Sequence, residues 1–147
     1  MNPNSVEILL VEDTPNDAEL TIRELNKHRM ANNLIHVHDG EEALDFLFAT
    51  GKYSETRDIL YSPKVILLDI QMPKINGIEV LQRIKADSRT RSIPVVILTS
   101  SKENPDIQKC YDLGANSYIV KPVNFEGFAT AIRNLGFYWL LLNQSPL

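Results

Sequence analysis

Cysteine is nearly absent from this sequence: Cys110 stands alone in 147 residues. That excludes an internal disulfide and a thiolate metal site, and it agrees with a reducing cytoplasm. Surplus positive charge is absent too. With 15 Lys and Arg against 19 Asp and Glu, a formal net charge of −4, the basic footprint of a nucleic-acid binder is not there. Long apolar runs are lacking: the longest, residues 137–142, falls far short of the roughly 18 residues of a membrane span. The opening MNPNSVE has neither the basic nor the apolar region of a secretory signal. No internal repeat, low-complexity tract or interdomain linker interrupts the chain. What remains is 44% hydrophobic and 23% charged, a composition that rules out wholesale disorder or a collagen-like repeat. A single soluble, cytoplasmic domain over residues 1–147 is expected, with neither nucleic acid nor membrane as partner.

Four short segments rich in branched aliphatics, residues 6–11, 65–68, 95–98 and 118–120, read as strands, and residues 34–38 as a weaker fifth. Their near-continuous apolar character implies a sheet covered on both faces, as in parallel α/β folds. Helical periodicity lies between them. Ala18, Ile22 and Leu25 share one face, as do Ala43, Phe46 and Leu47; Gly77, Val80, Leu81 and Ile84; and Ile107, Cys110 and Tyr111. Thr14 before Pro15, with Asp17 three residues on, marks a helix start, and Asn104 before Pro105 marks another. Gly51 and Gly114 are placed as helix stops. Five β-α units in succession favour an open, doubly wound α/β sheet, since five strands are too few for the eightfold barrel.

In such sheets ligands bind beyond the carboxyl ends of the strands. Here those ends carry Glu12-Asp13, Asp69, Thr99-Ser100 and Lys121-Pro122. Any one of these alone reads as a turn or cap; polar groups closing four strands on one edge do not. Converging carboxylates repel and demand a counter-ion. Mg²⁺ suits them, because it prefers oxygen ligands and is held by one or two carboxylates together with water and phosphate oxygens. Asp13 and Asp69 could ligate it directly and Glu12 through water. Lys121 offers a point charge for a phosphoryl oxygen, Thr99 a hydroxyl donor, and small Ser100 a close backbone approach. No Walker A, GxGxxG or flavin-type phosphate loop occurs, so the acceptor of the phosphate is expected to be a side chain, with Asp69 central.

These residues carry a resemblance. ILLVEDTP, VILLDIQMPKINGIEVL, IPVVILTSS and SYIVKPVN, together with the spacings from Asp69 to Thr99 and from Thr99 to Lys121, resemble the receiver domains of two-component response regulators over nearly the whole chain. The resemblance implies the flavodoxin-like receiver fold, five parallel strands in the order 2-1-3-4-5. It implies Asp69 as the phosphoacceptor that takes a phosphoryl group from a sensor histidine kinase. Glu12, Asp13 and Asp69 would hold Mg²⁺ (or Mn²⁺) together with the Gln71 backbone carbonyl, while Thr99, Ser100 and Lys121 bind the phosphoryl group. Thr99 and Tyr118 would form the switch, and the Lys121–Pro122 bond would be cis. Gln71 and Ser101 fall where the family tunes hydrolysis of the acyl phosphate. The protein would take part in its own phosphoryl transfer without being a turnover enzyme.

Two additions exceed the usual receiver length. A connection over about residues 51–63 alternates Lys52, Glu55, Arg57 and Asp58 with Tyr53, Ile59, Leu60 and Tyr61, and simple packing is favoured over a contact role. The other is a tail over about residues 136–147, in which Phe137, Tyr138, Trp139 and Leu140 begin a run apolar on every side. A surplus of this kind marks a partner surface. The longer connection and aromatic tail resemble the small regulators paired with cyanobacterial phytochrome kinases, which implies a homodimer and no output domain. Two other functions compete: an Asp-nucleophile, Mg²⁺-dependent phosphatase, which would want a second Asp where Gln71 stands, and an unphosphorylated scaffold, which would not need the polar set. His36 and His38 share a strand face but lack an evident third metal ligand, and Cys110 reads as core.

Overall fold

The computed structural model describes residues 6–28, 33–72 and 74–133. Strands β1 (Ile8–Val11), β2 (Leu34–Val37), β3 (Val65–Asp69), β4 (Val95–Thr99) and β5 (Ser117–Val120) form one parallel sheet in the order β2-β1-β3-β4-β5. Every residue of β1, β3 and β4 is buried, which is why those segments are apolar without alternation: a central strand covered on both faces has no solvent side. The edge strand β2 is only partly buried over its first three residues, and its sequence signal is correspondingly weaker.

Helices α1 (Pro15–Lys27), α2 (Gly40–Phe48), α3 (Gly77–Ala86), α4 (Asp106–Asp112) and α5 (Phe125–Arg133) connect or follow the strands. Because alternate residues of a strand face opposite sides, the sheet divides its side chains between two cores. Leu9, Val11, Ile66, Leu68 and Ile97 meet Phe46 and Leu47 of α2, Leu81 and Ile84 of α3, and Cys110 of α4. Ile8, Leu10, Leu67, Val96 and Leu98 meet Ala18 and Leu25 of α1 and Phe128 and Ile132 of α5. Burial pushes the Cys110 thiol up to about 11, so it is a core residue and a poor nucleophile.

The boundaries shift where the site begins. β3 and β4 each extend one residue past their apolar runs to take in Asp69 and Thr99, while β1 begins at Ile8 rather than residue 6. Thr14 is the N-cap of α1 by backbone geometry, with Pro15 behind it, but its side chain makes no capping bond. α4 starts one residue later than expected: Pro105 is its N-cap, with no side-chain capping bond, while Asn104 Oδ1 accepts from the Asp106 N–H at 2.8 Å. Gly51 is not the stop of α2. That helix ends at Phe48, with Ala49 in the left-handed conformation at φ 56° and the Thr50 N–H bonded back to the Asp45 carbonyl; Gly51, at φ 55°, opens a single 3₁₀ turn over Gly51–Tyr53.

The connection that follows is anchored at a few points and otherwise exposed: of the apolar residues expected to pack, Tyr53 and Ile59 are half-buried, but Leu60 and Tyr61 face solvent. Arg57, placed by its neighbours among surface charges, is buried, with Nε donating to the Phe46 carbonyl at 2.8 Å and Nη1 to the Tyr61 carbonyl at 2.7 Å. Its guanidinium lies 4.1 Å from the centre of the Phe46 ring, a cation–π contact that helps offset the cost of burial. Tyr53 and Lys52 both bond Glu42 of α2, at 3.0 and 2.8 Å.

One glycine is needed for the site. A Cβ on Gly77 would lie within 3 Å of the Ile70 Cα and would overlap the Asp69 carbonyl oxygen. Only glycine lets the start of α3 come this close to the end of β3, where the Gly77 N–H donates to the Ile70 carbonyl at 3.0 Å.

Candidate functional site

Parallel pairing in register sets the polar residues side by side. Val11 pairs with Leu68, so Glu12 emerges beside Asp69; Asp69 pairs with Leu98, and Thr99 with Val120, so Thr99 and Lys121 follow on the same edge. The chain turns to β2 on one side of β1 and to β3 on the other, which opens the crevice where α/β sheets take ligands. Glu12, Asp13 and Asp69 each bring a carboxylate oxygen to within 4.8 Å of the others. Glu12 and Asp69 are buried and Asp13 half-buried. Backbone bonds hold this arrangement: the Glu12 N–H donates to the Val37 carbonyl at 3.1 Å, and the Gln71 N–H donates to Asp69 Oδ1 at 3.1 Å.

Lys121 reaches into the crevice from the end of β5. Its Nζ stands 3.2 Å from Glu12 Oε1, 3.2 Å from Asp69 Oδ2 and 3.2 Å from Asp17 Oδ2. An ammonium has three N–H donors, and here three carboxylates take them. Burial works against the charge on Lys121, but Asp69 and Glu12 outweigh it and hold the ammonium well above the usual lysine range. The opposite happens to Glu12. Burial first, then its hydrogen bond to Asp69 and the repulsion between them, push its carboxyl up to about 8, although Lys121 pulls the other way. With Asp13, which joins Glu12 and Asp69 but does not bond Lys121, the carboxyl groups outnumber the one ammonium, and their donor set is all oxygen. That set fits Mg²⁺ or Mn²⁺ and does not fit a softer metal.

Thr99 lies buried next to this group, its Oγ1 donating to the Ser101 carbonyl at 3.1 Å and accepting from the Ser101 N–H at 3.4 Å. Ser100 is exposed and, with Lys121, Pro122, Asp17, Leu20 and Thr21, lines a cleft of about 340 Å³ over the lysine. The Lys121–Pro122 peptide bond is cis. Tyr118 is half-buried on β5 and meets the Tyr111 ring edge-on at 6.4 Å. Phe137, Tyr138, Trp139 and Leu140 lie outside the described residues.

Two neighbours of the site escape a reading of strand ends. Asp17 reads as an acidic helix-start residue, yet its carboxylate turns to Lys121. His36 Nε2 bonds the Glu12 carbonyl oxygen at 2.7 Å, and nothing in the sequence spacing announces that. The His36 and His38 rings stand 4.3 Å apart, and among the described residues they join no third metal-ligating group.

Known proteins place this site in context. The family model for the response regulator receiver domain matches residues 8–133. The solved structure of the bacteriophytochrome response regulator AtBRR is 48% identical, with a TM-score of 0.85, over 95% of this chain and 98% of that one. Response regulator Rcp1 of Synechocystis sp. is 36% identical over 95% of this chain and 91% of its own length, and its Mn²⁺-bound crystal form superposes with a TM-score of 0.71. A probable methanogenesis regulatory protein, FilR2 of Methanothrix harundinacea, is 37% identical over 95% of this chain and 86% of its own length. A pattern spanning nearly every described residue, on a sheet of this order, leads to one conclusion: the chain belongs to the response regulator receiver domain family.

Proposed function

We propose that this protein is a two-component response regulator that accepts a phosphoryl group from a sensor histidine kinase onto Asp69, in a reaction dependent on Mg²⁺ or Mn²⁺, and signals by changing its protein contacts. One observation carries this reading: Asp69, 2% exposed, sits between two further carboxylates and the Lys121 ammonium at the mouth of the sheet.

A carboxylate oxygen of Asp69 attacks phosphorus while the bond from phosphorus to the donor nitrogen breaks, and the electron pair leaves with that nitrogen. The products are an aspartyl phosphate and the free donor imidazole. Glu12, Asp13, Asp69 and the Gln71 carbonyl would hold the cation, which when bound neutralises the oxygens of the transferred group. Lys121 exchanges its bond to Asp69 for one to a phosphoryl oxygen, so its charge stays in place as the group arrives. Positioning and electrostatics supply the catalysis. Thr99 and Ser100 complete the phosphoryl contacts. Drawing the Thr99 hydroxyl from the Ser101 carbonyl toward the new dianion empties space beside β5, into which the half-buried Tyr118 ring can turn. The surface formed by α4, β5 and α5 then changes shape.

The receiver family is one of signalling proteins, and Gln71 offers no carboxylic acid of the kind a phosphatase of this architecture would use. The test is intact-mass measurement after incubation with acetyl phosphate and Mg²⁺. The wild type is expected to gain one phosphoryl group and Asp69→Asn none; a gain that persists in Asp69→Asn overturns the assignment.

The likeness to AtBRR, named as a bacteriophytochrome response regulator, supports a phytochrome kinase as the donor. A homodimer through Phe137, Tyr138, Trp139 and Leu140 completes the proposal, on the strength of an apolar run too long for one helix face. Deleting residues 137–147 is expected to shift the protein toward monomer in sedimentation velocity, and an unchanged dimer removes this part.

A further inference from the structure

We propose that Asp17 sets the class of phosphodonor, favouring an imidazole donor that is protonated on its distal nitrogen and departs as a neutral ring over one that leaves as a carboxylate anion. The inference rests on the phosphoacceptor role of Asp69. It begins with a carboxylate that neither the metal set nor the helix start requires. Asp17 Oδ2 lies 3.2 Å from Lys121 Nζ, as does Asp69 Oδ2, so the two oxygens are no further apart than twice that distance. They flank the same ammonium from opposite degrees of burial, with the Asp69 side chain 4% exposed and that of Asp17 40% exposed. Asp69 is the inner wall and Asp17 the outer one.

The attacking and leaving atoms stand in line across phosphorus in this reaction. With Asp69 attacking from inside, the leaving group points outward, into the cleft of about 340 Å³ lined by Asp17, Leu20, Thr21, Ser100, Lys121 and Pro122. Leu20, 49% exposed, and Pro122 give that cleft apolar walls that suit a flat ring. Asp17 gives it one negative charge. An N-phosphorylated imidazole enters with its distal nitrogen protonated, and its ring N–H can donate to the Asp17 carboxylate, a charge-assisted bond. The phosphorus–nitrogen bond breaks with its electron pair going to nitrogen, the distal proton stays on the ring, and neutral imidazole departs as the Asp69 oxygen–phosphorus bond forms. Acetyl phosphate instead releases acetate, and an anion forming beside Asp17 is repelled. A single charge close to the reacting group thus acts with opposite sign on the two donors.

The test compares monophosphoimidazole with acetyl phosphate, each with Mg²⁺, by the rate of phosphoryl gain in intact-mass measurement. Asp17→Asn is expected to slow transfer from monophosphoimidazole far more than transfer from acetyl phosphate, so that the ratio of rates falls by about tenfold, as one charge-assisted bond implies. Asp17→Glu, which returns the carboxylate, is expected to recover most of the ratio. Equal factors on both donors overturn the proposal, since a merely structural or lysine-positioning role would act alike on both. Failure of Asp17→Glu to recover the ratio overturns it as well. A wild type that gains no phosphoryl group from either donor overturns the underlying phosphoacceptor role, an outcome separate from both.

Discussion

Lys121→Met is expected to destabilise the cation-free protein by about 3 kcal/mol near pH 8, since breaking a buried pair leaves its partners' charge uncompensated. Methionine keeps the bulk of the lysine stem, so the loss is one of charge more than packing. What remains is Glu12, Asp17 and Asp69, all bonded to that ammonium at 3.2 Å and two of them almost fully buried. Such a group can be relieved in only two ways. Protons can neutralise it, so the penalty is expected to shrink as the pH is lowered toward 6; a divalent cation can neutralise it, so Mg²⁺ is expected to rescue the variant at pH 8 more than it stabilises the wild type. Urea denaturation at both pH values, with EDTA or with Mg²⁺, measures this. A loss that is the same under all four conditions would show that Lys121 contributes packing alone. Because the cluster holds the Lys121 charge above the usual lysine range, its contribution in the wild type persists through the whole neutral window.

Affinity for Mg²⁺ is expected to rise about tenfold per pH unit from pH 6 to about 8 and then to level off, because the cation must displace one proton. The proton is the one on Glu12, whose carboxyl is pushed from an ordinary 4.5 to about 8 by burial and by Asp69. The sign follows from linkage. A carboxyl whose pKa is raised by folding favours the native state fully below its unfolded value, and that contribution is lost as the pH rises through the folded value. Cation-free protein should therefore lose stability between about pH 4.5 and pH 8, and Mg²⁺ should restore it most at the upper end. Glu12→Gln is expected to abolish the slope while leaving a weaker site. Isothermal titration calorimetry at pH 6, 7 and 8 provides the check; a wild-type affinity flat over that range would mean that Glu12 is already ionised before the cation arrives.

Much of the fold was legible because burial leaves a direct mark on residue type. The strands β1, β3 and β4 are covered on both faces, so they could only be written as runs of Val, Ile and Leu. The helices between them expose one face, so they carry the 3.6-residue period. Errors fell where a residue's conformation answers to tertiary contacts rather than to its own preference. Ala49 adopts a left-handed stop that glycine was expected to supply. Arg57, one charge in a mixed segment, is drawn inside by the carbonyls of Phe46 and Tyr61.

The carboxyl-edge residues Glu12, Asp13, Asp69, Thr99 and Lys121 were legible for a different reason. Topology forces ligands to one edge of a parallel sheet, so a polar residue after an apolar run is already placed on that edge. Their count and chemistry follow from the amino-acid sequence alone, as does the family likeness they carry. Strand register and chain crossing then decided what no linear reading could. They set Lys121 equidistant from three carboxylates, turned Asp17 away from its helix end and into that group, and tied His36 to the Glu12 carbonyl. The partners in these contacts are 24 to 109 residues apart in the chain. The electrostatics of the site depend on those distances and on exclusion of water, and both exist only once the sheet has closed over its two cores.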